Sequence, residues 1–483
     1  MPVTMNVLFL AAEAEPFIKV GGLADVAGSL PASLHDLAPR STGGYTLDVR
    51  LVLPLHASIK SGSTPLMPLM EYDLPTRRGP VKVQVFQGQH GNTPVYFIAG
   101  EPVSSATSVY SDDLVKDREK YAFFSLAALE MIRRMTWRVD LLHANDWHTA
   151  LALYALKQKR RIVAYRHVRS VLTLHNLPFS GGDGADVLPQ YRLLAAQDAS
   201  LPKWARTSPL PLGLWAADAI VAVSPTYARE VLTLKFGCGL EGFLRGQAGK
   251  LTGILNGLDT ASFDPARDAV LASCFDRSTI GYRSANKCAL QKKLALPVNA
   301  GVPLLGMVGR IDLQKGFDLV LEALRRMSAR PWQVVLLGTG NRMLEQAARQ
   351  LQADIPDRLR FVQGYDAQLG RLIYGGADIF LMPSRYEPCG LAQMIAMRYG
   401  CVPVVSRTGG LKDTVRDGVS GFHARREDLG SLVSTIERAL DILPDERKWR
   451  EMQLAGMGRD FSWQRSARRY ASLYRSLVLP PSP

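Results

Sequence analysis

The chain has 483 residues, with 58 Lys+Arg against 44 Asp+Glu for a net charge of +14, and 47% hydrophobic against 21% charged residues. That length allows two or three domains with full cores, and that composition excludes a small disulfide-stapled module and a disordered chain. The positive charge fits an anionic partner, either nucleic acid, a phosphorylated metabolite or an acidic surface. No dense basic run with interleaved aromatics appears. Lys157 to Arg161 and Arg465 to Arg469 read as solvated helix faces, so nucleic acid is not the expected partner.

Cys238, Cys274, Cys288, Cys389 and Cys401 are odd in number, scattered and free of any C-x-x-C pair. Neither a disulfide framework nor a zinc site is indicated, and a cytoplasmic location is expected. The apolar run Val7 to Ala12 meets Glu13 and Glu15 too soon for a signal peptide, and no stretch reaches membrane-spanning length, so no membrane association is expected.

In chain order, Val7 to Leu10, Val49 to Leu53, Leu141 to Ala144, Ser170 to Leu174 and Ala219 to Val223 are short apolar runs that each end at a turn. They read as buried parallel strands joined by helices. A second series comes later, with Leu304 to Val308, Gln333 to Leu337, Leu359 to Val362, Ile379 to Met382 and Val402 to Val405. The result is two Rossmann-like halves of α/β class, with ligands expected at the carboxyl ends of the strands. The Asn256-Gly257 and Asp264-Pro265 punctuation places the boundary near residue 254. The expected domains are residues 1–253, 254–458, and a last helix and frayed tail over 459–483.

Lys19-Val20-Gly21-Gly22-Leu23-Ala24-Asp25 comes after the first strand, where backbone amides and a helix start could meet a phosphate or a sugar hydroxyl. A plain glycine turn with an exposed lysine is the alternative. Arg310 and Lys315, five residues apart beside Gly316, could neutralise a departing diphosphate, or be ordinary surface cations. Gly338-Thr339-Gly340 has no glycine three residues further on, so the dinucleotide fingerprint of an NAD enzyme is incomplete. Thr408-Gly409-Gly410 again offers amides between a strand and a helix.

Glu387, within Glu387-Pro388-Cys389-Gly390-Leu391, is directed by Pro and Gly toward the ligand side, where a sugar hydroxyl is its natural partner. His143, His148 and His175 end strands of the first half, and as neutral imidazoles could donate to sugar oxygens. No H-x-x-x-H or H-E-x-x-H spacing points to a metal.

Taken in order, these motifs resemble the bacterial glycogen synthase and plant starch synthase family. The likeness covers most of the chain, from Glu13-Ala14-Glu15-Pro16 through Asn145-Asp146-Trp147-His148, Thr173-Leu174-His175-Asn176, Val223 to Ala228 and Gly239 to Gly242. It continues with Leu255 to Asp259, Gln314-Lys315-Gly316, Pro383 to Leu391, Thr408 to Leu411 and Asp460 to Trp463. The resemblance implies a GT-B fold, two Rossmann-like domains facing each other across a cleft. It implies a retaining transferase that moves glucose from a nucleotide-glucose, ADP-glucose before UDP-glucose, to the 4-hydroxyl of an α-1,4-glucan. No cofactor and no metal are expected.

By the same resemblance Arg310 and Lys315 bind the diphosphate with Thr408, Gly409 and Gly410, Tyr365 stacks on the base, and Glu387 and His175 grip the glucose. Lys19, Gly22, Asp25, Asp146, Asn176, Asn256, Cys389, Gly390 and Leu391 complete the substrate contacts, Lys19 as one of the catalytic groups. Ile395 stands eight residues after Glu387, where related sucrose- and trehalose-type transferases have a second glutamate, which favours the glucan branch. The sequence departs from the family between Phe179 and Gly213, where Pro211 replaces a lysine, and a shifted acceptor preference is the expected consequence. A diverged transferase with another acceptor, or a homologue without turnover, are the alternatives. The latter would be expected to lose its cations or carboxylate, and Lys19, Arg310, Lys315 and Glu387 are all present.

Overall fold

In the computed structural model, which describes residues 3–59 and 65–479, the first apolar run forms strand β1 (Val3–Leu10), whose last four residues are fully buried. A strand buried on both faces belongs inside a parallel sheet, and β1 pairs in parallel with β2 (Tyr45–Pro54) on one side and with a later strand on the other. The chain then adds β3 (Met67–Thr76), β4 (Gly79–His90), β5 (Thr93–Ala99), β6 (Leu141–Asn145), β7 (Arg169–Leu174), β8 (Ala219–Ala222) and β9 (Leu251–Gly253). The sheet order is β3-β4-β5-β2-β1-β6-β7-β8-β9. The antiparallel excursion β3–β5 is absent from the strand reading of the sequence. Along β3 buried and exposed residues alternate toward the end of the strand, so no continuous apolar run marks it.

The helices of this unit include α1 (Gly22–His35), α2 (Leu114–Arg134), α3 (Asp146–Gln158) and α4 (Pro209–Ala216). Pro211 has no backbone N–H, and it lies in the first turn of α4 after Ser208, where an N–H has no intrahelical acceptor. Its missing donor is therefore harmless. The far end of α4 is closed by Lys250, whose ammonium donates to the carbonyls of Leu214, Trp215 and Ala217 at 3.1, 3.2 and 2.8 Å.

The second unit carries β10 (Leu304–Val308), β11 (Gln333–Gly338), β12 (Leu359–Gln363), β13 (Ile379–Met382), β14 (Val402–Ser406) and β15 (Phe422–Ala424), in the order β12-β11-β10-β13-β14-β15. All of its pairings are parallel, and the order reverses between β10 and β13, which places the chain's strand ends at a switch point. Two helices here flank candidate residues, α5 (Phe317–Arg326) and α6 (Gly409–Thr414).

The last helix, α7 (Trp463–Val478), belongs to the first unit and buries Trp463, Ala467, Tyr470, Ala471 and Tyr474 in its core. That spacing is one face of a helix. The first unit thus runs to Gly257 and resumes at Trp463, and the second spans Leu258–Ser462. The exchange falls at 257/258 and 462/463, where the sequence reading has 253/254 and 458/459. The cause is local: Leu258 donates its amide to the Phe461 carbonyl at 2.7 Å and bridges to Ser462, tying both crossings into the second unit. Gly257 is needed beside them, since a Cβ there would lie 2.5 Å from the Trp463 Cα. The tail expected beyond residue 479 lies outside the described residues. Among the described residues no helix is long and apolar enough to cross a membrane.

Candidate active site

In the first unit, the loop between β1 and α1 is organised by a carboxylate. Glu13, 1% exposed, accepts the Val20 amide at 2.5 Å and the Gly21 amide at 2.9 Å on Oε2, and the Tyr110 hydroxyl at 3.0 Å on Oε1. Two of the loop amides expected to meet a phosphate are therefore already occupied by an internal anion, which corrects that expectation. Gly22 keeps its open side, with nothing within 4 Å of where a Cβ would stand. The Lys19 ammonium lies between Glu15 Oε2 at 2.8 Å and Asp25 Oδ1 at 2.7 Å. Burial works against its charge, but the two carboxylates outweigh it and hold the lysine above its ordinary range. Burial also raises Asp25 against the pull of Lys19.

The ends of β6 and β7 form a second cluster. Asp146 opens α3 with φ 52°, a left-handed conformation rare outside glycine, and its Oδ1 accepts the amides of His175 at 2.7 Å and Asn176 at 3.3 Å. Burial outweighs those two bonds and pushes the carboxyl up to about 7. Asn145 Nδ2 donates to the Leu10 carbonyl at 2.8 Å, so its Oδ1 must face His175 Nε2, 2.9 Å away. An amide oxygen only accepts, so Nε2 carries the proton. Burial lowers His175 to about 3 and keeps it neutral. Its Nδ1 is then an acceptor, so the expectation that this ring nitrogen donates is corrected.

His143 is placed in the core. It is fully buried, bonded to Tyr474 Oη at 2.5 Å and Thr173 Oγ1 at 2.7 Å, and holds α7 to the sheet. His148, also buried, packs against the rings of Tyr110, Tyr121 and Trp147. The side-chain oxygens of Asn176 and Asn256 are buried acceptors with no donor among the described residues.

In the second unit, the loop after β10 and the loop after β13 are joined. Lys315 Nζ lies 2.6 Å from Glu387 Oε2, which also accepts the Ser384 hydroxyl at 3.1 Å. Gly316, φ 70°, is required because a Cβ would stand 2.2 Å from the Pro383 carbonyl oxygen. Arg385, missed by the sequence reading, clamps Asp318 of α5 with 2.7 Å bonds to both carboxylate oxygens. Arg310 does not join this pair: it is 61% exposed and bonded to Asp312 at 3.1 Å and Gln314 at 2.9 Å. Tyr365, just after β12, is 81% exposed.

The glycine pair that opens α6 serves packing first. A Cβ on Gly409 would stand 1.9 Å from the Glu387 carbonyl oxygen and one on Gly410 2.0 Å from that of Cys389. The Gly410 amide donates to the Glu387 carbonyl at 3.0 Å, so it is not free for a diphosphate, contrary to the sequence reading. Thr408 is fully buried beside it. Gln393 holds the loop from the other side through the carbonyls of Cys389 at 3.2 Å and Gly390 at 2.9 Å, and Leu391 directly precedes the helix Ala392–Arg398 that carries Gln393. At Gly340 the amide is closed by Glu345 Oε1 at 2.8 Å, so this turn too has an internal anion where a dinucleotide phosphate would need the donor. Among the described residues no three His, Cys, Asp or Glu side chains gather as a metal-holding group.

Residues 6–246 match the starch synthase catalytic domain family and residues 291–453 the glycosyl transferases group 1 family. A glycogen synthase of Anaeromyxobacter sp. (strain Fw109-5) is 40% identical over 99% of this chain and 100% of its own length. One from Streptococcus sanguinis is 39% identical over 98% and 100%. The catalytic domain of starch synthase IV from Arabidopsis thaliana, solved with ADP and acarbose, matches with a TM-score of 0.88 at 29% identity, covering 99% of this chain and 100% of that one. Two α/β units with largely parallel sheets and these matches define a GT-B glycosyltransferase. The chain belongs to the glycogen and starch synthase family, and it is a glucosyltransferase.

Proposed function

We propose that the enzyme transfers glucose, with retention, from ADP-glucose to the non-reducing 4-hydroxyl of an α-1,4-glucan. The observation that carries this reading is the Lys315–Glu387 ion pair. It unites a cation suited to a departing diphosphate with a carboxylate suited to sugar hydroxyls on two adjoining strand-end loops. Arg310, exposed and on the same loop as Lys315, is the second diphosphate cation, while Gly409 and Gly410 serve the close packing of the Glu387 loop. Tyr365 has the exposure needed to stack on a base.

On the glucose side, His175 Nδ1 accepts a sugar hydroxyl, Asp146 fixes the His175–Asn176 backbone, and the buried oxygens of Asn176 and Asn256 accept further hydroxyls. Lys19 and Gly22 follow β1, which runs parallel beside β6 in the same sheet. Glu387 is a positioner. The C1–phosphate bond breaks as the C1–O4 bond forms on the same face, and a diphosphate oxygen takes the 4-hydroxyl proton, releasing the nucleoside diphosphate and a glucan longer by one glucose. Two cations serve the leaving group, so this reading has no metal or cofactor, and activity should survive EDTA. ADP as the nucleotide is supported by the starch synthase IV structure, which holds ADP. All five cysteines are free thiols, which supports a cytoplasmic location.

The test is nucleotide release with glycogen, followed by the anomeric form of the new linkage. An α-1,4 product from ADP-glucose is expected, and a β-linked product or no glucan extension would overturn the reading.

A further inference from the structure

The β1–α1 loop carries Lys19, but its shape is set by a different residue. Glu13 has almost no contact with solvent, yet its two oxygens gather three donors from three places: the Val20 amide, the Gly21 amide and the Tyr110 hydroxyl. A buried carboxylate is stable only when it is hydrogen-bonded, and here the bonds are charge-assisted. Gly21 suits this arrangement, because a Cβ there would stand 3.2 Å from Glu13 Oε1. The loop is also pinned from the far side. The Glu15 amide donates to the Ala24 carbonyl at 3.1 Å, and Gly28 leaves no room for a Cβ, which would lie 2.4 Å from the Glu15 carbonyl oxygen.

Between those two pins lies Lys19. Its backbone is adjacent to the first amide that Glu13 holds, and its ammonium spans Glu15 and Asp25. We propose that Glu13 is a positioning residue for the transfer reaction, acting through Lys19 by fixing the Val20–Gly21 amides, with Tyr110 orienting the carboxylate. This rests on the reading of Lys19 as a substrate-facing group. The carboxylate also fills the place an anion would take before α1, which leaves the loop to uncharged sugar and to the Lys19 side chain.

A double-mutant cycle separates a positioning role from a structural one. Glu13→Gln keeps the side-chain shape but removes the charge and one accepting oxygen. Acting through Lys19, it should lower kcat by roughly 10-fold, since a small displacement of a reacting group is enough for that. In a Lys19→Met background the same change should cost less than about 2-fold, because the group it positions is gone. Thermal unfolding of each purified variant checks the fold, and Tyr110→Phe, which deletes only a hydroxyl, serves the same cycle if Glu13→Gln does not fold. Equal fold-losses in both backgrounds, or full turnover in Glu13→Gln, would overturn the proposal. Full turnover in Lys19→Met would overturn the Lys19 reading itself and the proposal with it. Slow Lys19→Met with an additive Glu13→Gln would remove only the positioning role.

Discussion

Lys315 Nζ and Glu387 Oε2 stand 2.6 Å apart, although 72 residues separate them in the chain. The contact depends on Gly316 passing close to the Pro383 carbonyl and on Arg385 locking its loop to Asp318. The cation and the carboxylate, to which the proposed function gives different duties toward one donor, thus hold each other in place.

Replacing Lys315 with Ala should lower turnover by roughly 10² to 10³, as should Arg310→Ala, because leaving-group charge grows toward the transition state. The two differ in stability. Lys315→Ala leaves Glu387, 6% exposed, without its cation and should lower the unfolding temperature, whereas loss of the exposed Arg310 should not. Steady-state kinetics beside thermal unfolding checks both, and unchanged kcat in either variant would remove that residue from the assignment.

Asp146 should give the activity an acid limb. Its carboxyl titrates at about 7 in the folded chain, against 3.8 for an ordinary aspartate, so the ionised form that best accepts the His175 and Asn176 amides grows in through neutral pH. For stability the sign is opposite. A folded value above the unfolded one adds stability that is fully present below about pH 3.8 and is lost as pH rises through about 7. Asp146→Asn should flatten both profiles across the window between those two values. A wild-type kcat/KM independent of pH across that range would contradict the assignment.

Burial also lowers His56, His143 and His148, so nitrogen-15 spectra of histidine-labelled protein should find several neutral imidazoles; the one lost in His175→Gln should carry its proton on Nε2 and not titrate until the pH approaches about 3. A proton on Nδ1 would contradict the acceptor role drawn from Asn145.

Much of the architecture is legible in the sequence because buried parallel strands are continuous apolar runs: Leu304–Val308 and Ile379–Met382 are read with the bounds they have in the fold. Strands β3 and β4 are half-exposed and antiparallel, so that signal is missing. At the site, charged residues beside glycines are visible as motifs, but their partners are not. Glu13 closing the Val20 and Gly21 amides, Arg385 on Asp318 and Asn145 on His175 are contacts made by folding, with no fixed spacing to announce them. The roles of glycines suffer most: Gly409 and Gly410 read as phosphate donors, and the fold uses them for close backbone approach. Pro211 shows the reverse, a substitution that looks costly until it is placed in a first helical turn.

Lys250 should matter to stability and not to chemistry. Its three bonds close the carbonyl end of α4, and Lys250→Met should cost about 1–3 kcal/mol by leaving the Leu214 and Ala217 carbonyls without their charged donor, while Trp215 keeps Lys157 at 3.3 Å. A lower unfolding temperature with donor KM unchanged is expected. An unaltered midpoint would show that water replaces the ammonium.

The most direct test of the account is nucleotide release by the purified enzyme with ADP-glucose and with UDP-glucose, each with and without glycogen. Glycogen-dependent release of ADP, faster than that of UDP and matched mole for mole by glucose added to the glucan, is the predicted result. Release that ignores glycogen, or none from either donor by a folded enzyme, would contradict it.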